Sequence, residues 1–223
     1  MVVLATKCYV AGDARQRALD SLSSQIENLL GELDVTYEVG VRDDDFPSVT
    51  VEGDDATVAQ NLLREEFGEI TPHLTPGDVH VGTLERWDDD GFYLDAGREV
   101  HVPAEELGLG PGSPEQIRTR FGLVQHLPLR FVPQEDGPAR LADRERDRLY
   151  EWTRGNGRVN VNSATRAEVR ATVNRAGHAR DIVTVERLGL LEQSIVCTDD
   201  TDPPGLLSSI GSYLSAELLA VVP

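Results

Sequence analysis

The feature that most limits how this chain can fold is the order in which its hydrophobic spacing switches between two and three-to-four. Near the start, 2–10 is an apolar run that reads as a strand. Leu19, Leu22, Ile26, Leu29 and Leu33 then fall three or four apart, on one side of a helix over 14–33. Val35, Tyr37, Val39 and Val41 alternate as a half-buried strand does, and "SVTVEG" (48–53) follows as a second one. A further helix is predicted with Val58, Leu62, Phe67 and Ile70 inward. The same succession returns near the end. "RVNVN" reads as a strand, Thr165 and Glu168 form a capping box, and Val169, Val173 and Ala176 make the buried stripe of the helix they open. "IVTVERLG" and "LLEQSIVC" pair as strands, "PGLLSSIGSYL" is a helix opened by proline, and "ELLAVVP" is a closing strand.

Two β-α-β-β-α units therefore flank a different middle. "SVTVEGDDATVAQNLL" and "SIVCTDDTDPPGLL" hold the same place in each unit, which points to an internal duplication. The closing strand completes the order described as ferredoxin-like. From 76 to 133 the spacing is almost entirely two, with helical signal only at "SPEQIRTRF". Phe92 and Leu94 fall on one face of the strand "GFYLDAG" and Tyr93 on the other; in "EVHVP" the valines oppose His101. With Phe92 and the valines inside, Tyr93 and His101 emerge side by side on the outer face. Flat side chains on an exposed sheet are what single-stranded nucleic acid stacks upon.

"GDVHVGTLERWDDDGFYLDAGREVHVPAEEL" resembles an S1 domain, through Gly82, the run Gly91-Phe92-Tyr93-Leu94 and the step Val100-His101-Val102-Pro103. That resemblance implies a five-stranded OB-fold β-barrel, with Tyr93 and His101 facing RNA. Asp90 stands where many S1 domains carry another aromatic, and nine acids face two arginines between Gly77 and Gly110. The whole chain also resembles an archaeal, notably haloarchaeal, family described as a domain of unknown function, through "MVVLATK", "RVNVNSATRAEVR" and "VERLGLLE". The expected architecture is α+β: two ferredoxin-like βαββα(β) units, 1–72 and 157–223, flanking an S1-like OB-fold β-barrel at 76–133. A connecting helix lies within 134–156.

Charge bears directly on nucleic acid. The net charge is −18, and among the basic residues Lys7 is the single lysine beside twenty arginines. Acid-rich, lysine-poor composition resembles the surfaces of proteins from salt-accumulating archaea. At molar salt the Debye length is about 3 Å, so net charge repels a distant polyanion little. The positive charge is also concentrated: fourteen arginines lie within 118–187 against nine acids. On the second unit's first helix, Arg166, Arg170 and Asn174 share one face opposite Val169 and Val173. Arginine pairs bidentately with phosphate, so Arg118, Arg120, Arg158, Arg166, Arg170, Asn174 and Arg175 are the candidate phosphate contacts.

Signals of catalysis are sparse. The five histidines are scattered, Lys7 lies in the first strand rather than in a P-loop, and Cys8 and Cys197 fit no metal spacing and read as small buried hydrophobes. No catalytic, metal or cofactor site is assigned. The leading expectation is a cytoplasmic, non-catalytic factor that binds RNA or a ribonucleoprotein (the ribosome or RNA polymerase), in archaeal translation, transcription or RNA processing. The alternatives are a protein–protein adaptor that docks on those machines without touching RNA, and a metal-dependent nuclease using the "DDD" triplets.

Overall fold

Each stretch of regular spacing becomes an element in the computed structural model, which describes all 223 residues. The first unit comprises β1 (Val2–Val3), α1 (Gly12–Leu30), β2 (Val35–Val41), β3 (Pro47–Gly53) and α2 (Ala56–Phe67). Its antiparallel sheet runs β1-β3-β2, and after α2 the chain returns beside β1 through a bridge from Leu4 to Glu69. Ala18, Leu22, Ile26 and Leu30 are the buried stripe of α1.

Two expectations need correction here. On α2 it is Ala59 and Leu63 that face the core, while Val58 is 50 % exposed. The small side chain of Ala59 lets the helix lie close to the sheet. The first strand is also far shorter than its apolar run: only Val2 and Val3 enter the ladder. Residues 5–8 are buried without strand pairing: the Thr6 and Lys7 side chains bond Leu190 N–H and Asp95 in the other units, while the N–H groups of Ala5 and Cys8 donate to Gly68 and Asp45 within the first.

The middle contains β4 (His80–Asp88), β5 (Gly91–Asp95), β6 (Glu99–Pro103), α3 (Pro114–Phe121), β7 (Pro128–Val132), β8 (Arg140–Leu141) and α4 (Asp143–Trp152). The antiparallel order is β6-β5-β4-β7-β8, and a bulge between Leu84 and Arg86 helps the sheet curl until β6 and β8 come into contact. The result is a curled half-barrel. Phe92, Leu94, Val102, Phe121 and Phe131 fill it, joined by Leu149 and Trp152 of α4. That helix is thus part of the central core rather than a simple connector. Ser113 and Gln116 cap α3 reciprocally, with Pro114 at its first turn.

The last unit comprises β9 (Arg158–Val161), α5 (Arg166–Arg175), β10 (Ile182–Arg187), β11 (Gln193–Cys197), α6 (Pro203–Ile210) and β12 (Leu218–Val221). Its antiparallel order is β10-β11-β9-β12. Val169, Val173, Leu206 and Ile210 of the two helices cover one face of the sheet, and β9 and β11 are buried along their whole length. In both outer units the second and third strands form a hairpin and the third pairs with the first. The segments β3–α2 and β11–α6, whose sequences look alike, occupy equivalent places. Both cysteines are free and buried, and no helix is long and apolar enough to cross a membrane.

Specific contacts lock the units together. Gly122 ends α3 at φ 65°, where its carbonyl accepts from Asn160 Nδ2 at 2.8 Å. A Cβ there would lie 2.6 Å from Val221 Cγ2 and 2.8 Å from Asn160 Nδ2. Tyr9 donates to Glu192 Oε1 at 2.7 Å and accepts from Ser163 N–H at 2.8 Å. Burial pushes the Glu192 carboxyl up to about 8, the bond from Tyr9 opposing it only in part. Glu85 moves the other way. Burial disfavours its charge, yet His126, Thr83 and Lys7 hold it down at about 2.

Two outcomes follow for stability. Gly122→Ala should cost about 2–4 kcal/mol in denaturant unfolding, from the left-handed backbone and the crowding of Val221 together. Between the ordinary carboxylate range and pH about 8, unfolded Glu192 is ionised while the folded one keeps its proton. Stability must therefore fall as pH rises through that window, by a few kcal/mol on the order of 1.4 per pH unit. Glu192→Gln should flatten that slope in pH-dependent melting while leaving the acid limb. On that limb the Glu85 contribution is lost as pH falls from 4.5 through about 2.

Candidate nucleic-acid interface

The capping box fixes where α5 begins. Thr165 Oγ1 accepts from Glu168 N–H, and the Glu168 carboxylate accepts from Thr165 N–H at 2.8 Å. With that start, Val169 and Val173 face the sheet and Arg166 and Arg170 face away from it. The surface they meet is α1 of the first unit, which presents Ser21, Ser24, Gln25 and Asn28. Between the two helices runs a groove of about 600 Å³, tied across by the ion pair of Arg17 with Glu168 at 2.6 Å.

Four arginines line this groove (Arg17, Arg166, Arg170, Arg187) against two carboxylates, Asp20 and Glu168. Glu168 is committed to Arg17 and to the cap. Arg166 donates to Val185 O at 2.6 Å, and neither it, Arg170 nor Arg187 forms an ion pair. In a chain of net charge −18, a cleft with surplus positive charge is a marked local reversal. Arg187, at the end of β10, also borders a second cleft of about 610 Å³ lined by Arg148, Trp152 and Arg158, so the two open into one another.

That second cleft is deeper. Arg148 and Arg158 hold their guanidinium carbons 5.1 and 4.9 Å from the centre of the Trp152 ring. Arg148 bonds the fully buried Glu145, whose other oxygen takes Arg130 at 3.1 Å. Arg158 pairs with Glu186 at 3.1 Å and donates to Ser194 Oγ at the same distance. Burial lowers the pKa of Arg148, and the like charges of Arg130 and Arg158 add to the effect.

The sequence-predicted residues divide sharply. Tyr93 and His101 are cross-strand partners on the outer face of the curled sheet, stacked at 4.5 Å and 16°. Arg86, the partner of Tyr93 on the other side, places its guanidinium 3.3 Å over the same ring and is held there by Glu99 and Asp88. Tyr93 is thus sandwiched and leaves no free face for a base; only the outer face of His101 is open, away from the groove.

Arg118 is a correction: it is 6 % exposed, pairs with Glu217 at 2.6 Å and lies 3.9 Å over Trp87. It brackets the central unit to the last one and is closed to phosphate. Arg158, 8 % exposed, is no surface contact either, but forms part of a cleft floor. Arg120 donates to the carbonyls of Leu109 and Pro111, stiffening the glycine-rich loop. Asn174 and Arg175 are exposed further along α5, outside the groove. Arg166 and Arg170 both line the groove.

Sequence reasoning missed Arg187, Arg148 and the α1 wall. Ser21, Ser24, Gln25 and Asn28 carried a signal: an uncharged polar stripe at helical spacing in a chain whose polar surface is otherwise acidic. The "DDD" triplets do not gather into a group of side chains placed to hold a metal ion.

Three family models match in tandem: the DUF2110 N-terminal domain over 1–73, the DUF2110 central domain over 74–153 and the DUF2110 C-terminal domain over 156–222. None of the three descriptions names a catalytic activity. No curated protein matches the sequence. With all three domains present in order across nearly its whole length, the chain belongs to the DUF2110 family.

Proposed function

We propose that this protein is a non-catalytic RNA-binding factor whose groove between α1 and α5 takes the backbone of a single strand. It acts on RNA itself or on RNA displayed by the ribosome or RNA polymerase, in the cytoplasm of a salt-accumulating archaeal cell. The observation that carries this reading is the surplus of arginine in one groove of a strongly acidic protein, with Arg166, Arg170 and Arg187 free of carboxylate partners. Arginine forks suit phosphate, and the serine, glutamine and asparagine side chains opposite supply neutral donors for sugar and phosphate oxygens.

The finer fold reading agrees with this function. We read the outer units as ferredoxin-like, supported by the order β10-β11-β9-β12 and by the Leu4–Glu69 bridge, which stands where a fourth strand of the first unit would pair. We read the curled sheet as an S1-like OB barrel, supported by its strand order, by α3 between β6 and β7, and by the Tyr93–His101 row. In this reading the barrel face contributes His101 as a secondary stacking contact, and backbone affinity comes from the groove.

Crosslinking of bound RNA in multimolar KCl tests the assignment, with crosslinks expected on α1, α5 and Arg187. RNA affinity measured against salt should have a slope that shrinks by about 0.7 for each arginine removed. The double substitution Arg166→Gln, Arg170→Gln should weaken all sequences alike rather than change preference. A protein that binds no RNA under any salt, yet captures a ribosomal or polymerase protein, would be an adaptor, and the RNA reading would fall.

A further inference from the structure

Where the groove meets the deeper cleft, the arginines change character. On α5, Arg170 is exposed and Arg166 half-buried, neither in an ion pair; at Arg148 and Arg158 the arginines are drawn into the protein, with side chains 26 % and 10 % exposed. The Nε–H groups of both are buried with no acceptor. A buried donor left unpaired is costly, and in a native protein it calls for an explanation such as a bound ion or ligand. Arg148 is not fully neutralised. The Glu145 carboxylate is divided between Arg148 and Arg130, Glu186 serves Arg158 alone, and Arg187 beside them has no carboxylate. The remaining acids of the cleft, Glu66 and Glu151, are exposed and pair with none of these arginines.

We infer that this cleft is a receptor for a terminal phosphomonoester, the phosphorylated end of the RNA whose backbone lies in the adjoining groove. The inference rests on the RNA-binding reading and adds to it the chemical identity of the end that is recognised. An internal phosphodiester carries one negative charge and a monoester close to two, so convergent arginines discriminate in favour of the end. The room is suitable: about 610 Å³, floored by Trp152 and opening toward Arg166 and Arg187. Salt sharpens the contrast. Contacts to exposed arginines are screened within about 3 Å at molar ionic strength, while partly buried pairs are screened far less. In concentrated salt the buried cleft, not the open groove, sets the discrimination.

The test uses the full chain and three matched RNA oligomers: one with a 5′-phosphate, one with a 3′-phosphate, and one with hydroxyls at both ends. Affinities are read by calorimetry in molar KCl. One phosphorylated end should bind at least about tenfold more tightly than the hydroxyl-ended strand, the return expected from one added charge-assisted contact. Which end does so identifies the polarity of the strand in the groove. Arg148→Lys keeps the charge but loses the planar fork, and should bring the ratio close to one. Because Arg148 supports the buried Glu145, Arg187→Gln is the second variant, at an exposed residue without an ion pair. Its effect is read as the same ratio, so any general weakening cancels. Equal affinity for all three oligomers would overturn this inference and leave RNA binding standing. If the wild-type protein binds none of them, titration with adenosine monophosphate separates the cases. Binding of the nucleotide that is lost in both variants keeps the phosphate receptor and sinks the RNA reading; no binding sinks both.

Discussion

A single extended segment, residues 6–9, holds the three units of this protein in register. Thr6 Oγ1 accepts from Leu190 N–H of the last unit at 2.7 Å. Lys7, the lone lysine, lies 2.7 Å from Asp95 and 3.1 Å from Glu85 of the curled sheet. Tyr9 bonds Glu192 and Ser163 on one side and packs its ring 3.9 Å from His126 on the other. His126 and Ser163 are two of the three non-glycine residues with positive φ. Backbone strain of that kind costs roughly 1–3 kcal/mol per residue and persists only where surroundings over-determine it. Tyr9 bonds the backbone of Ser163 directly, while His126 is held by Leu84 O and Glu85 as well as by the Tyr9 ring. Because one wall of the groove is α1 and the other α5, its width is set by how this segment docks the first unit on the last.

The same segment shows what the lone lysine does. Lys7 has a compact ammonium sitting between two carboxylates, a geometry that suits three rotatable donors on one atom. Several arginines instead lie flat on rings, as Arg86 does on Tyr93 and Arg118 on Trp87, or reach two acceptors at once, as Arg120 does to Leu109 and Pro111. These are guanidinium tasks. Arginine is thus used in two ways in this chain, as structural brackets where it is buried and paired, and as unpaired positive charge lining the groove where it is not.

That double use is what the sequence could not resolve. Local chemistry was legible: the caps of α3 and α5, the period-two strands, and the row that sets Tyr93 beside His101 all follow from neighbours in the chain. Long-range pairing was not. Nothing near Arg118 announces that Glu217 will meet it, and nothing near Arg158 announces Glu186. The cluster of arginines between 118 and 187 thus mixes buried brackets such as Arg118 and Arg158 with arginines that have no carboxylate partner. Arg86 was overlooked for the same reason: the bulge after Leu84 brings it into line with Tyr93, and a bulge leaves no mark in the spacing.

The like order of the two outer units gives the groove its form. Helices α1 and α5 are the first helices of two units built in the same order, so the groove arises where equivalent elements of the two units oppose each other. The two helices carry different side chains into it. The polar side of α1 keeps Ser21, Gln25 and Asn28, neutral donors and acceptors that tolerate any backbone geometry, whereas α5 carries Arg166 and Arg170. The unpaired positive charge of the groove thus comes from the side of the last unit, while Arg17 of α1 is committed to the Arg17–Glu168 pair that ties the two helices across it. The central unit adds what neither copy supplies, the helix α4 that carries Arg148 and Trp152 to the groove's inner end. The groove between the outer units thus lies beside a cleft to which the middle unit contributes Arg148 and Trp152, so all three domains line this surface.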